Sequence, residues 1–276
     1  MMHYRSVWIS DVHLGSRHCN ADALLAWLRT METDQLFLVG DIIDGWALNR
    51  SWYWPQSHNN VIQKLLRQAR KGTVVTYLPG NHDEFLRSFG SLDLGNIRLC
   101  DRTVYRTVNG KRYLVLHGDQ FDTVMQRAKW LMHAGSWAYD WLIWLNRLLT
   151  KIQRWLGAQP WSLSAWAKRS VKQAMTFISS FEENLAAYAR QQGCDGVICG
   201  HIHSMNIRDI NGIWYLNCGD FCESTTALVE THQGHWFVMK YADDQFLPVL
   251  ALNCHTGQTQ QGHSCTQLYQ QNCLGL

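Results

Sequence analysis

The sequence has no CxxC pair, although it contains nine cysteines. An odd, scattered set of cysteines is typical of free thiols in a reducing compartment and gives no disulfide framework. The sequence also has no uninterrupted apolar run of about 18 residues, the length that a membrane-spanning helix needs. Its first residues lack the apolar centre of a signal peptide. These absences argue against a secreted or membrane-spanning protein, and they predict a cytoplasmic location.

Charge is also sparse, and it is unevenly distributed. Charged residues make up 17% of the chain and hydrophobic residues 46%, a balance typical of globular proteins. Residues 125–190 contain nine basic and three acidic residues, a net +6, so the remainder of a chain with net charge +3 carries −3. This asymmetry indicates two regions with different chemistry.

Hydrophobic periodicity predicts an α/β fold. Apolar β-type runs at 7–10, 36–40 and 74–78 alternate with helical spacing at 20–31 and 61–72. Residues 97–116 and 197–250 are strand-rich, and each contains an Asn-Gly hairpin signal. This order predicts two sheets with helices outside, a four-layer αββα sandwich.

Three regions are predicted from these patterns. Residues 1–124 and 193–252 are predicted to form the core, and 125–192 a helical, Trp-rich, basic insertion. Residues 253–276 form a Gln-rich tail without periodicity, which we expect to be loosely ordered.

Five apolar segments end in residues of metal-ligand type. These residues are Asp11 and His13, Asp41, Asn81, His117, and His201 and His203. Each motif alone is common in turns, but strand ends that converge at one sheet edge would bring all five together. Two metal ions held there would lower the pKa of a shared water and neutralise phosphoryl oxygens. Mixed Asp, Asn and His ligands suit Mn²⁺, Fe or Zn²⁺. The pattern therefore predicts a dinuclear hydrolase.

The ordered set of motifs, D-x-H, GD-x-x-D, GNHD, a lone His after a strand and GH-x-H, resembles the calcineurin-like metallophosphoesterase family over about 6–120 and 195–250. The resemblance implies that one metal is held by Asp11, His13, Asp41 and His203. It implies that the other is held by Asp41, Asn81, His117 and His201, so that Asp41 bridges the two. His82 would then lie beside the leaving group, oriented by Asp44.

The composition of the 125–192 insertion indicates which branch of this family the chain resembles. Seven of the 14 Trp residues lie between 130 and 166, interleaved with basic residues on a segment with an amphipathic stripe. This composition favours a membrane interface or a lipid-shaped groove over nucleic acid. The arrangement is similar to that of the UDP-2,3-diacylglucosamine diphosphatases, peripheral inner-membrane enzymes of lipid A synthesis. That branch implies Mn²⁺ and cleavage of UDP-2,3-diacylglucosamine to UMP and 2,3-diacylglucosamine 1-phosphate. Its best-known members have Arg where this chain has His82.

Four residues are candidates for substrate contacts: Asp122, Lys168, Arg169 and Lys172. The three basic residues could equally belong to a solvated helix face, and the apolar stripe to an ordinary core helix. Two other functions stay open: a soluble phosphodiesterase or phosphatase acting on nucleotides or phosphoproteins, and a non-catalytic scaffold.

Overall fold

The computed structural model describes residues 2–121, 163–253 and 257–271, and for 163–175 and 263 it describes the backbone alone. The chain divides into two compact units, one of Met1–Asp119 with Asn184–Leu276 and one of Gln120–Glu183. The boundaries that the sequence predicts for the insertion, 125 and 192, stay a prediction. The seven cysteines that the structure describes are all free thiols.

Fourteen strands and five α-helices make up the described chain. The strands are β1 (Met2–Ile9), β2 (Met31–Val39), β3 (Val74–Leu78), β4 (Leu92–Leu94), β5 (Ile97–Leu99), β6 (Thr103–Arg106), β7 (Arg112–Val115), β8 (Gly196–Cys199), β9 (Asn206–Ile210), β10 (Ile213–Asn217), β11 (Thr226–Glu230), β12 (Trp236–Ala242), β13 (Gln245–Asn253) and β14 (Gln258–Gln261). The helices are α1 (Ala21–Thr30), α2 (Gly45–Arg50), α3 (Gln56–Arg70), α4 (Leu163–Gln191) and α5 (His263–Tyr269). Short 3-10 helices span Glu84–Phe89 and Asp119–Phe121.

The strands form two sheets within the first unit. Nine strands lie in the order β14-β13-β12-β11-β1-β2-β3-β5-β4, and five lie in the order β6-β7-β8-β10-β9. In the larger sheet β1, β2 and β3 are adjacent and parallel. In the smaller sheet β7 and β8 are adjacent and parallel. Both predicted Asn-Gly hairpins are present, joining β6 to β7 and β9 to β10.

Alternation along β1 shows how the layers are built. Val7 and Ile9 pack among residues of α1 and α3, whereas Trp8 packs between the two sheets against side chains such as Tyr105. Successive side chains of a strand point to opposite faces, so the apolar end of β1, residues 7–9, supplies two cores at once. The predicted α/β fold with two sheets is confirmed.

Helices cover the outer faces of the sheets. Asn20 caps α1 by accepting a hydrogen bond from the backbone N–H of Ala23 at 3.3 Å, and the apolar face of the helix is buried. The last turns of α4 lie beside the smaller sheet. Arg190 in this part of the helix donates a hydrogen bond to the carbonyl of Asn211 in the β9–β10 turn. No helix in the described ranges is both long enough and apolar enough to cross a bilayer.

The Gln-rich tail differs from expectation. Strand β14 extends the larger sheet beside β13, and α5 buries Cys265 and Tyr269 in the helix-side core. The Tyr269 hydroxyl lies 2.5 Å from that of Tyr4 in β1. The prediction of a loosely ordered tail is wrong for 257–271, because a few apolar residues spaced among Gln are enough to dock a short helix.

Candidate metal centre

The five strand ends converge at one edge of the first unit. Asp11 and His13 follow β1, Asp41 follows β2, and Asn81 and His82 follow β3 in the larger sheet. His117 follows β7, and His201 and His203 follow β8 in the smaller sheet. Because neighbouring parallel strands end at the same edge, seven side chains predicted as ligands and His82 surround one cleft.

Three overlapping groups of side chains lie within metal-binding distance. Their nitrogen and carboxylate oxygen atoms lie within 4.8 Å of one another in each of three sets: Asp11, His13 and His203; His13, Asp41 and His82; Asp41, His117 and His201. Asp41 belongs to two of the sets, and its Oδ2 lies 3.3 Å from Nε2 of His117. This central position is the one a carboxylate shared by two cations would need.

The backbone at these strand ends is strained. Five of the predicted ligands have positive φ angles: Asp11 (52°), His13 (55°), Asp41 (54°), His201 (72°) and His203 (52°). A non-glycine residue in this region costs on the order of 1–3 kcal/mol and persists only where the surrounding structure imposes it. Such strain clusters at functional sites, where it turns several side chains toward one point.

Glycines allow the strand ends to approach closely. A Cβ atom on Gly80 would lie 2.2 Å from Oδ1 of Asp41, and one on Gly200 would lie 2.4 Å from Oδ2 of Asp11. Real Cβ atoms do not make contacts this short, so only glycine fits beside these carboxylates. The glycines of GNHD and GH-x-H therefore make room for the acidic side chains.

Four buried polar atoms at the centre of the cleft have no hydrogen-bond partner in the described chain, as expected for a site that binds metal. Within the described chain no hydrogen bond reaches Asp11 Oδ1, His13 Nε2, Asn81 Oδ1 or His117 Nε2. Buried polar groups are almost always satisfied, so four such atoms in one cleft need an explanation. His117 donates from Nδ1 to the carbonyl of Val39 at 2.9 Å, which directs Nε2 into the cleft as in metal-binding histidines. The donor set fits divalent metal ions.

At the centre of the cleft, the opposite charges of His117 and Asp41 outweigh the effect of burial on their pKa values. Burial alone would lower the pKa of His117, but the negative charge of Asp41, whose Oδ2 lies 3.3 Å from Nε2, raises that pKa to about 10. Burial would raise the pKa of Asp41, but His117 and its other histidine neighbours bring it well below the usual value. The carboxylate is therefore ionised, as a metal ligand must be.

His82 and Asp44 form a separate pair at the cleft. The Asp44 carboxylate accepts hydrogen bonds from His82 Nδ1 at 2.9 Å and from the Ala47 N–H at 2.8 Å, the latter capping α2. Burial would raise the pKa of Asp44, but hydrogen bonds from His13 and His82 lower it. His82 keeps 23% of its side chain exposed, whereas His117 is buried. It is therefore placed to contact a substrate.

Asp83 and Trp46 belong to the site but were not among the predicted site residues. Asp83 is fully buried and accepts hydrogen bonds from the Gly80 N–H at 2.6 Å, the Ile42 N–H at 2.9 Å and the Tyr77 hydroxyl at 2.6 Å. It thus joins the loops after β2 and β3. The Trp46 ring lies 4.1 Å from that of His82. The acid at the end of GNHD was a visible signal for Asp83, whereas nothing in the sequence marks Trp46.

The side chains of the four predicted substrate contacts lie outside the described part of the chain. Asp122 lies outside the described residues. Lys168, Arg169 and Lys172 fall on α4, in the part whose side chains lie outside the described set. Their roles stay predictions.

Known proteins show the same family pattern. A family model described as calcineurin-like phosphoesterase matches residues 4–205. A UDP-2,3-diacylglucosamine hydrolase of Neisseria meningitidis serogroup C is 27% identical over 233 residues, covering 78% of this chain and 88% of that protein. One of Porphyromonas gingivalis is 30% identical over 128 residues, covering 43% and 47%. The phosphoesterase Yfce of E. coli superposes with a TM-score of 0.46 at 13% identity, covering 87% of this chain and 95% of that one. The chain belongs to the calcineurin-like phosphoesterase family and is a metal-dependent phosphoester hydrolase.

Proposed function

We propose that this protein hydrolyses the diphosphate of a lipid-linked sugar nucleotide, UDP-2,3-diacylglucosamine, to UMP and 2,3-diacylglucosamine 1-phosphate. The observation that carries the proposal is the similarity to UDP-2,3-diacylglucosamine hydrolases over 78% of the chain. The metal-binding cleft supports the reaction type, and the Trp-rich basic insertion supports the lipid.

The cleft residues divide into two sets of ligands. One metal would be held by Asp11, His13, Asp41 and His203, and the other by Asp41, Asn81, His117 and His201. When bound, two divalent ions lower the pKa of water and neutralise the charge of a diphosphate. The hard and borderline donors suit Mn²⁺, with Fe or Zn²⁺ as alternatives. Asp41 belongs to both sets, so its charge offsets the repulsion between the two cations.

His82 would act on the leaving group. Water attacks the phosphorus next to uridine, and the bond from that phosphorus to the bridging oxygen breaks. The electron pair leaves with the sugar phosphate. Asp44 accepts a hydrogen bond from Nδ1 of His82 and so orients the imidazole, which would act beside the leaving oxygen as a positioned acid–base group.

The insertion would bind the acyl chains and bring the enzyme to the inner membrane surface. Its basic residues complement anionic headgroups and its Trp residues suit the interface. Under this proposal the enzyme acts in the cytoplasm as a peripheral membrane protein. Asp122, Lys168, Arg169 and Lys172 are the proposed contacts to the substrate.

The experiment is hydrolysis of UDP-2,3-diacylglucosamine in detergent with Mn²⁺ in ¹⁸O-labelled water. We expect UMP that carries one ¹⁸O atom, because attack is on the phosphorus that UMP retains. Asp41→Ala, which removes a ligand from both sets, should release no UMP, and EDTA should stop the wild-type reaction.

A small soluble phosphodiester, bis(p-nitrophenyl) phosphate, is the control substrate. Cleavage of this diester without release of UMP would show that the substrate assignment is wrong while the hydrolase remains. Release of label in the sugar phosphate would contradict the proposed point of attack.

A further inference from the structure

A second group of metal-ligand side chains lies at the opposite end of the larger sheet. His3 is near the start of β1, Asp34 is in β2, and His232 follows β11. Strand β11 runs antiparallel to β1, with Ser6 opposite Glu230, so its end meets the start of β1. From His3 to the end of β1 at Ile9, six residues of strand at about 3.3 Å each span roughly 20 Å. This group is therefore separate from the catalytic cleft.

The three side chains already surround one point. His3 Nε2 lies 2.9 Å from Oδ1 of Asp34, and His232 Nε2 lies 3.1 Å from Oδ2 of the same carboxylate. The two imidazole rings are 5.0 Å apart between centroids. All three ligand atoms lie within 4.8 Å of one another. Two imidazoles and a carboxylate in this arrangement are a common set of three protein ligands for zinc.

The surroundings leave the site open. Between 43% and 54% of each side chain is exposed, so an ion can reach all three. His3 and Asp34 also line a cavity of about 750 Å³ whose wall includes Arg29, Lys64 and Lys71. An ion with three protein ligands keeps a position for water or an anion. The basic residues on the cavity wall would favour an anion there.

We propose that His3, Asp34 and His232 form a surface site for one borderline transition-metal ion, with Zn²⁺ as the natural occupant. Nitrogen ligands favour Zn²⁺, Ni²⁺ or Cu²⁺ over Mg²⁺ and Ca²⁺. An ion bound there would tie the first two strands to the β11–β12 turn. The site is independent of the hydrolytic reaction, because none of its residues lies in the cleft.

The test compares the full-length protein with His3→Gln/His232→Gln, which keeps polar side chains of similar size at exposed positions. His18→Gln, a change at another exposed histidine, is the matched control. Each Mn²⁺-loaded protein is dialysed against dilute Zn²⁺, and bound metals are counted by mass spectrometry. Wild type and His18→Gln should carry one more equivalent of total metal than the double variant.

Affinity and catalysis provide two further measurements. The single change His232→Gln should weaken zinc binding at this site by on the order of 100-fold. Removing a residue that only hydrogen-bonds to a metal ligand already lowers metal affinity about 10–100-fold, and removing a ligand itself should cost at least as much. Hydrolysis of the diester with Mn²⁺ should be equal in all variants. Equal metal content in wild type and the double variant would show that the three residues are only a hydrogen-bonded cluster, and would overturn the proposal.

Discussion

At the residue scale, the cleft combines two unfavourable features, and a bound cation would offset one of them. Five predicted ligands have positive φ angles, and four buried polar atoms there have no hydrogen-bond partner within the described chain. Each feature costs free energy in the protein without metal. Metal binding would recover the cost of the polar atoms directly, since coordination replaces the missing hydrogen bonds. The apoprotein should therefore be the less stable form.

His82 provides a test that separates catalysis from metal binding. His82→Ala should keep both metals and lose on the order of 10²–10⁴ in turnover, the usual contribution of a positioned acid–base group. The measurements are kcat with the diester and metal content by mass spectrometry. His117→Ala is the contrasting variant, which should lose metal as well as activity. Loss of metal from His82→Ala would show that His82 is a ligand.

Glu230 gives a pH dependence outside the cleft. Its side chain is fully buried and accepts hydrogen bonds from Arg5 at 2.8 Å, the Val108 N–H at 3.1 Å and Tyr105. Burial raises the pKa of Glu230 above its usual value despite these partners. The folded state therefore holds this proton more tightly than the unfolded state, and stability is lost as the pH rises from the unfolded pKa of about 4.3 through the folded pKa.

Glu230→Gln should remove that dependence. As the pH rises from about 4.5 to 7 the wild type should lose unfolding free energy relative to the variant, because only the wild type gives up a proton that the folded state holds more tightly. Urea unfolding across this range measures the difference. Glu32→Gln, at an exposed acid of β2, is the control and should run parallel to the wild type. Parallel curves for Glu230→Gln would contradict the expectation.

At the element scale, an arginine joins two of the loops that carry ligands. Arg87 donates from Nη1 and Nη2 to the two oxygens of Asp119 at 2.9 and 2.8 Å, and from Nη2 to the Pro79 carbonyl at 2.8 Å. Pro79 is two residues before Asn81, and Asp119 is two residues after His117. The bidentate pair thus holds the loops after β3 and β7 together.

Arg87→Met should weaken one metal site selectively. The apolar stem is retained but the fork is lost, so Mn²⁺ affinity should fall by on the order of 10–100-fold at the site of Asn81 and His117. Activity should largely recover at saturating Mn²⁺, because no ligand is removed. Arg98→Met, at an exposed arginine paired with Asp93, should change neither quantity. An activity loss that Mn²⁺ does not rescue would contradict a positioning role.

Helix α5 provides a test of the ordered tail. Tyr269→Ala should lower the free energy of unfolding by about 3 kcal/mol, because it removes an aromatic side chain from the core and its hydrogen bond to Tyr4. Ser264→Ala, at an exposed position of the same helix, should stay within about 0.5 kcal/mol of wild type. Equal effects of the two changes, measured by urea unfolding, would show that α5 is not docked.

At the scale of the whole molecule, the fold and the metal-binding cleft were predictable from the sequence, because both depend on where strands end. The contacts that join separate loops were not predictable. Strand periodicity and metal-ligand residues at five strand ends predicted both the α/β fold and the cleft, since parallel strands align their carboxyl ends. Trp46 and Arg87 act through contacts with loops distant in the chain, which periodicity does not encode. The position of Asp83 in GNHD is visible in the sequence, but its hydrogen bonds to the loop after β2 are not. The tail was missed because α5 is short and polar on most of its surface, so its docking depends on partners in β1 and β12.

The division of labour between cleft and insertion gives the last prediction. If the Trp-rich segment binds acyl chains, binding energy comes from buried apolar area at about 25 cal/mol per Å². Trp141→Ala with Trp144→Ala should then raise KM for UDP-2,3-diacylglucosamine several-fold, and binding to anionic vesicles should weaken most clearly at high salt, where the basic residues are screened. Hydrolysis of bis(p-nitrophenyl) phosphate should hardly change, because the ligands of the cleft lie on other segments. Gln153→Ala, a polar change within the same insertion, is the matched control. An equal loss with both substrates would show that these Trp residues support the fold, and the lipid assignment would then lose its basis in the insertion while the metal-dependent hydrolase stands.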